Sequence, residues 1–82
     1  MSLFSGAGGL DLGLERSGFR TQSMVEIEPT FCETLHSNKG FVHCDEREYF
    51  ESTNIINADI RDLASKDLYK GKKPDLIVGG PP

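Results

Sequence analysis

The chain has 82 residues, 37% of them hydrophobic and none Trp, and a formal net charge of −4. So short a chain is one domain at most and buries only about 60–65% of its unfolded surface, which leaves a thin margin of stability. The acidic balance argues against a face that grips a phosphate backbone by charge. No apolar run approaches the ~20 residues of a membrane span, and no segment reads as a signal peptide.

Met1-Ser2-Leu3-Phe4 reads as the end of a buried strand. It breaks into Ser5-Gly6-Ala7-Gly8-Gly9, with three glycines in four residues, a turn in which backbone can approach a ligand closely. The helix that follows brings its free N–H groups and positive dipole end to the same place. On that helix Leu10, Gly13 and Leu14 are expected to face inward and Asp11, Glu15 and Arg16 outward, with Gly18 as the stop. A second strand is expected over residues 19–25, delivering Glu26 at its carboxyl end. Pro29 suits the first turn of the next helix, whose apolar stripe is Phe31, Cys32 and Leu35 and whose end is Asn38-Lys39-Gly40. Residues 41–53 carry little pattern, and the charged cluster Asp45-Glu46-Arg47-Glu48 reads as a solvated loop or short exposed helix. A third strand over residues 54–58 ends at Asp59. A brief helix over residues 61–67, a Lys-rich turn over 70–73 and a fourth strand over 75–78 follow, closed by Gly79-Gly80-Pro81-Pro82.

This alternation implies an α/β fold of parallel βαβ units. A parallel sheet needs cover on both faces, and the last strand has none after it, so the sequence is expected to be a piece of a larger fold or one polypeptide of a split one. Two thiols are too few for a disulfide framework, and a reduced cytosolic setting is expected. Cys32, His36, His43 and Cys44 are the residues that could ligate zinc, but their spacing is unlike the common sites, and no metal is expected.

In open α/β sheets ligands bind outside the carboxyl ends of the strands, and each such end here carries a suggestive group. The first has the glycine turn. The second has Glu26, near the ~20-residue spacing at which an acid holds ribose hydroxyls. The third has Asp59 with Ile60, an acceptor and an apolar wall suited to an adenine ring. The fourth has the stiff Gly-Gly-Pro-Pro turn. Each acid alone could be a solvated loop residue, and Asp59 or Asp62 could simply cap the short helix beside it. Together they describe a site for an adenosine-containing cofactor. The dinucleotide fingerprint G-x-G-x-x-G would need glycine where Asp11 stands, and no Gly-Lys-Ser/Thr completes a P-loop. S-adenosyl-L-methionine, which has no phosphate, suits the residues best.

Here the chain resembles the DNA (cytosine-5) methyltransferases. Phe4-Ser5-Gly6-Ala7-Gly8-Gly9-Leu10 is similar to their F-x-G-x-G-G motif, and Val25-Glu26-Ile27-Glu28 to the segment whose acid holds the ribose. Ala58-Asp59-Ile60-Arg61-Asp62 is similar to their adenine-binding motif, and Asp75-Leu76-Ile77-Val78-Gly79-Gly80-Pro81-Pro82 to the run-up to their catalytic G-G-P-P-C-Q loop. The resemblance implies a Rossmann-like S-adenosylmethionine-dependent methyltransferase fold, of which residues 1–82 would be the first four parallel strands with their helices. It implies cofactor-binding roles for Phe4, Gly6, Ala7, Gly8, Gly9, Glu26, Ile27, Asp59, Ile60 and Pro82. A side chain at Gly8 is expected to block the pocket. The family's catalytic cysteine would follow Pro82, so no catalytic residue is assigned; neither Cys32 nor Cys44 matches it. The implied parent is a methyltransferase that modifies carbon 5 of cytosine in DNA, of prokaryotic restriction-modification type, cytoplasmic or nucleoid-associated, with tRNA cytosine or an NAD-binding domain as alternatives. DNA, held mainly by other parts, and the remainder of the methyltransferase fold are the expected partners, with no membrane and with this piece inactive alone.

Overall fold

A computed structural model describes residues 1–42, 48–69 and 71–80. The elements are β1 (Ser2–Leu3), α1 (Gly9–Arg16), β2 (Ser23–Glu26), α2 (Pro29–Ser37), β3 (Phe41–Val42), β4 (Glu48–Tyr49) and β5 (Asn54–Asn57). A 3₁₀ turn (Ile60–Asp62), α3 (Ser65–Leu68) and β6 (Val78–Gly79) follow. Among the described residues, four strands form one parallel sheet in the order β5-β2-β1-β6, and β3 pairs with β4 in a separate antiparallel ribbon. The chain steps from β1 to β2 to β5 on one side and then crosses to β6 on the other. The order therefore reverses at β1, the arrangement that opens a crevice in doubly wound sheets. The expected parallel α/β architecture is the one observed.

Register places the site. Leu3 lies opposite Val25 and Gly79, and Glu26 opposite Asn57. The residues that leave these strands, Phe4, Ile27, Ala58 and Gly80, therefore emerge along one rim. All four residues of β2 are buried, as a central parallel strand requires. Met24 joins Leu35 of α2 with Tyr49 and Phe50 in the main apolar cluster.

Several local expectations are corrected. The inward face of α1 is partly acidic: Asp11 and Glu15 are buried, whereas Leu10 is 56% exposed. Backbone demand supplies a reason. Thr21 precedes β2, and its N–H donates to Glu15 Oε1 at 2.8 Å. Gly18 (φ +106) ends the helix as expected; its N–H donates to the Glu15 carbonyl and that of Phe19 to the Leu14 carbonyl, the Schellman pairing. Helix α2 has Pro29 at its start and buries Cys32 and Leu35 but leaves Phe31 exposed, a seam narrower than expected.

The poorly patterned region supplies core instead of only loop. Tyr49 is fully buried and Phe50 nearly so, with ring centroids 6.4 Å apart. Glu48 is an exposed strand residue; Asp45, Glu46 and Arg47, with His43 and Cys44, lie outside the described residues. The helix expected over 61–67 divides into the 3₁₀ turn and α3. The second strand starts later than expected, at Ser23. The fourth is only Val78–Gly79, because its partner β1 offers two residues for it to pair with. Leu76 and Ile77 stay exposed before it.

Candidate cofactor site

Phe4 leaves β1 with φ +57, a left-handed conformation uncommon for an aromatic residue. Outliers of this kind cluster at ligand sites and cost of order 1–3 kcal/mol. The kink is held by the Ser5 N–H, which donates to the Val25 carbonyl at 3.1 Å, and it leaves Phe4 43% exposed. The glycine turn is then tied to β2 by a carboxylate. Gly6 N–H donates to Glu26 Oε1 and Glu28 N–H to Glu26 Oε2, each at 2.8 Å. An ionised carboxylate offers about four acceptor sites. The two amides leave one on each Glu26 oxygen, a pair suited to the vicinal hydroxyls of a ribose.

The backbone around Glu26 is fixed from below. Asn57 Nδ2 donates to the carbonyls of Glu26 (3.0 Å) and Ile27 (2.9 Å). The Cys32 thiol donates to the same Glu26 carbonyl at 3.4 Å. Burial, with the Glu26 charge adding to it, pushes this thiol upward, which favours the protonated form that donates here. Among the described residues no group of three or more His, Cys, Asp or Glu could hold a metal ion.

Asp59 follows β5. Its carboxylate caps the 3₁₀ turn by accepting from Arg61 N–H at 2.9 Å, the role that its position at a turn start allowed. It also takes the Arg61 guanidinium through Nε (3.0 and 3.1 Å) and Nη2 (2.6 Å). The guanidinium holds the Asp59 carboxyl well below the usual range, at about 2.

These groups share a cavity of about 370 Å³ at the carboxyl ends of β1, β2 and β5, within the size range of small-ligand sites. It is lined by Phe4, Glu26, Ile27, Asp59, Ile60 and Arg61, together with Val25 and Ala58. Of the residues expected from sequence, Phe4, Glu26, Ile27, Asp59 and Ile60 are brought together there, and Gly6 reaches it through Glu26. Ala7, Gly8 and Gly9 are not among its walls, and Pro81 and Pro82 lie outside the described residues. Gly8 is corrected in one respect: a Cβ there would meet Leu35 Cδ2 at 2.8 Å, so a side chain would enter the core and not the pocket. A larger cavity, about 500 Å³, lies among Met1, Asp11, Gln22, Lys72 and Leu76, toward the amino ends of the strands. Parallel sheets do not characteristically bind ligands there. Asn57 and Arg61 went unassigned in the sequence. Asn57 carries no signal without strand register, and Arg61 signals only by standing two residues after an acid.

Similarity to known proteins gives the family. The model of the family described as C-5 cytosine-specific DNA methylase matches residues 1–82. The chain belongs to this family. Among curated relatives, it is 42% identical over 82 residues to the Type II methyltransferase M.FnuDI of Fusobacterium nucleatum, covering 100% of this chain and 20% of that protein. Type II methyltransferase M1.HphI of Haemophilus parahaemolyticus is 35% identical over 85 residues, covering 100% and 20%. Type II methyltransferase M.AquIA of a Picosynechococcus species is 36% identical over 87 residues, covering 100% and 31%. The chain thus spans about a fifth to a third of the length of these relatives. No solved structure matches it.

Proposed function

We propose that the rim cavity binds S-adenosyl-L-methionine and that these residues are the cofactor-binding part of a DNA (cytosine-5-)-methyltransferase of restriction-modification type. The observation that carries this reading is the pairing of two carboxylates, Glu26 and Asp59, across one cavity walled by Phe4, Ile27 and Ile60. In this reading Glu26 accepts from the ribose hydroxyls with its two remaining acceptor sites. Asp59 accepts from the adenine amino group while Ile27 and Ile60 pack on the ring, and the Gly6–Glu26 bond sets the turn beside them. The cofactor supplies the methyl group when bound; the residues named here bind and orient it.

Methyl transfer to cytosine in this family uses a cysteine thiolate, which Cys32 does not provide. We therefore expect the 82 residues alone not to methylate, the nucleophile being expected next to Pro82. The net charge of −4 supports a DNA grip made mainly by other parts of the methyltransferase fold. Calorimetric titration of the intact protein with S-adenosylmethionine and with NAD tests the reading. S-adenosylmethionine should bind and NAD should not, and Glu26→Ala should weaken binding by roughly 1–3 kcal/mol. A preference for NAD would overturn the choice of cofactor, and full affinity in Glu26→Ala would remove Glu26 from the site.

A further inference from the structure

Arg61 surrounds Asp59 more completely than a helix cap needs. Its backbone N–H occupies Oδ1, its Nε lies between the two oxygens, and its Nη2 occupies Oδ2. Of about four acceptor sites on a carboxylate, three are taken. The equivalent of one remains, shared between the two oxygens because Nε divides itself between them. The Arg61 side chain is 85% exposed and that of Asp59 only 20%. The guanidinium therefore covers the solvent side of an acid that also lines the cavity. An ion pair this exposed adds little to stability, whereas a bidentate fork fixes the plane of the carboxylate it holds.

We propose that Arg61 is a positioning residue for nucleoside recognition: it fixes the plane of the Asp59 carboxylate so that the acceptor capacity left to the cavity has a fixed direction, suited to an N–H from a purine amino group. The proposal rests on the reading of the cavity as the purine site and adds the group that orients its acceptor. The substitution Arg61→Lys keeps the charge but removes the fork, so the two properties are separable.

The test is calorimetric titration of the intact protein and its R61Q, R61K and D59N variants with S-adenosylmethionine, together with ¹³C titration of the Asp59 carboxyl. Among the described residues the charged groups lining the cavity are Glu26, Asp59 and Arg61, and Glu26 is common to wild type and the Arg61 variants. R61Q and R61K should each weaken binding about 5- to 10-fold. In R61Q the Asp59 carboxyl should move from about 2 toward the ordinary value of about 3.9. The affinity of R61Q should then fall more steeply than that of the wild type as pH drops from about 5 to about 3.5, Glu26 contributing equally to both. Wild-type or tighter affinity in R61Q would overturn the proposal, as would an unmoved Asp59 titration. Full affinity in D59N would sink the purine-site reading itself; lost affinity in D59N with none lost in R61Q would sink the role of Arg61 alone.

Discussion

Two pairs of carboxylates in this chain live under opposite conditions. Glu26 and Asp59 stand at the carboxyl rim, and described contacts hold each of their oxygens: amides at Glu26, an amide and a guanidinium at Asp59. Asp11 and Glu15 are buried along α1, where Asp11 Oδ2 has no hydrogen-bond partner among the described residues. Burial, as the largest cause, pushes the Asp11 carboxyl upward, while Arg61 pulls that of Asp59 down. The difference teaches that an acid's position along the sheet decides its use. At the rim the backbone presents donors and a cavity; beneath α1 Glu15 answers the Thr21 amide, and Asp11 keeps one oxygen without a partner among the described residues.

Substitutions can break this contrast, beginning with the one expected to cost most. Gly8 has φ +90 and links the rim turn to the core through its closeness to Leu35. Gly8→Val should cost about 2–4 kcal/mol, from a β-branched residue in the left-handed region and overpacking against a fully buried side chain. Chemical denaturation measures it. A cost below about 1 kcal/mol would show that the turn relaxes independently of the core.

Glu26→Ala should cost about 2–3 kcal/mol of stability in the same assay, because the N–H groups of Gly6 and Glu28 lose a charged acceptor. An unchanged midpoint would mean that water replaces the carboxylate freely and that the rim is less preorganised than its distances indicate.

Asp11→Asn should act in the opposite direction. A carboxyl raised by burial contributes stability while protonated, below its unfolded value of about 3.9, and loses that contribution as pH rises through the higher folded value. The variant should therefore be more stable than wild type at pH 7, with the difference closing as pH falls toward about 3.5. Destabilisation at pH 7 would show that the charge is needed where it lies.

The smallest effect belongs to Asp59. Its lowered carboxyl contributes stability above the ordinary Asp value, lost as pH falls from about 4 to about 2. Asp59→Asn should thus lower the denaturation midpoint only slightly at pH 7, because the ion pair is exposed, and that small difference should vanish as pH falls toward about 2.

The contrast also explains what could be read from sequence. Glu26 and Asp59 were legible because each follows an apolar run, and a parallel sheet sends such positions to one rim. The stop at Gly18 and the start at Pro29 were legible from backbone chemistry. The inward face of α1 was not, because hydrophobic periodicity assigns Leu10 to the core and cannot foresee that the Thr21 amide would recruit Glu15. Tyr49 and Phe50 escaped for another reason: β3 and β4 are two residues each, too short to show any alternation. The short β6 follows from the length of β1, a property of its partner and not of residues 75–78. Arg61 and Asn57 act across turns and strands, so only the folded register reveals them.

The most direct test of the rim as a nucleoside site uses the two isoleucines that form its walls. In ¹³C-methyl spectra of the intact protein titrated with S-adenosylmethionine, the methyls of Ile27 and Ile60 should both shift as the adenine ring settles against them. Ile77, exposed before β6 and outside the cavity lining, should not. Saturating binding that leaves Ile27 and Ile60 unmoved, or that shifts Ile77 in their place, would contradict the assignment.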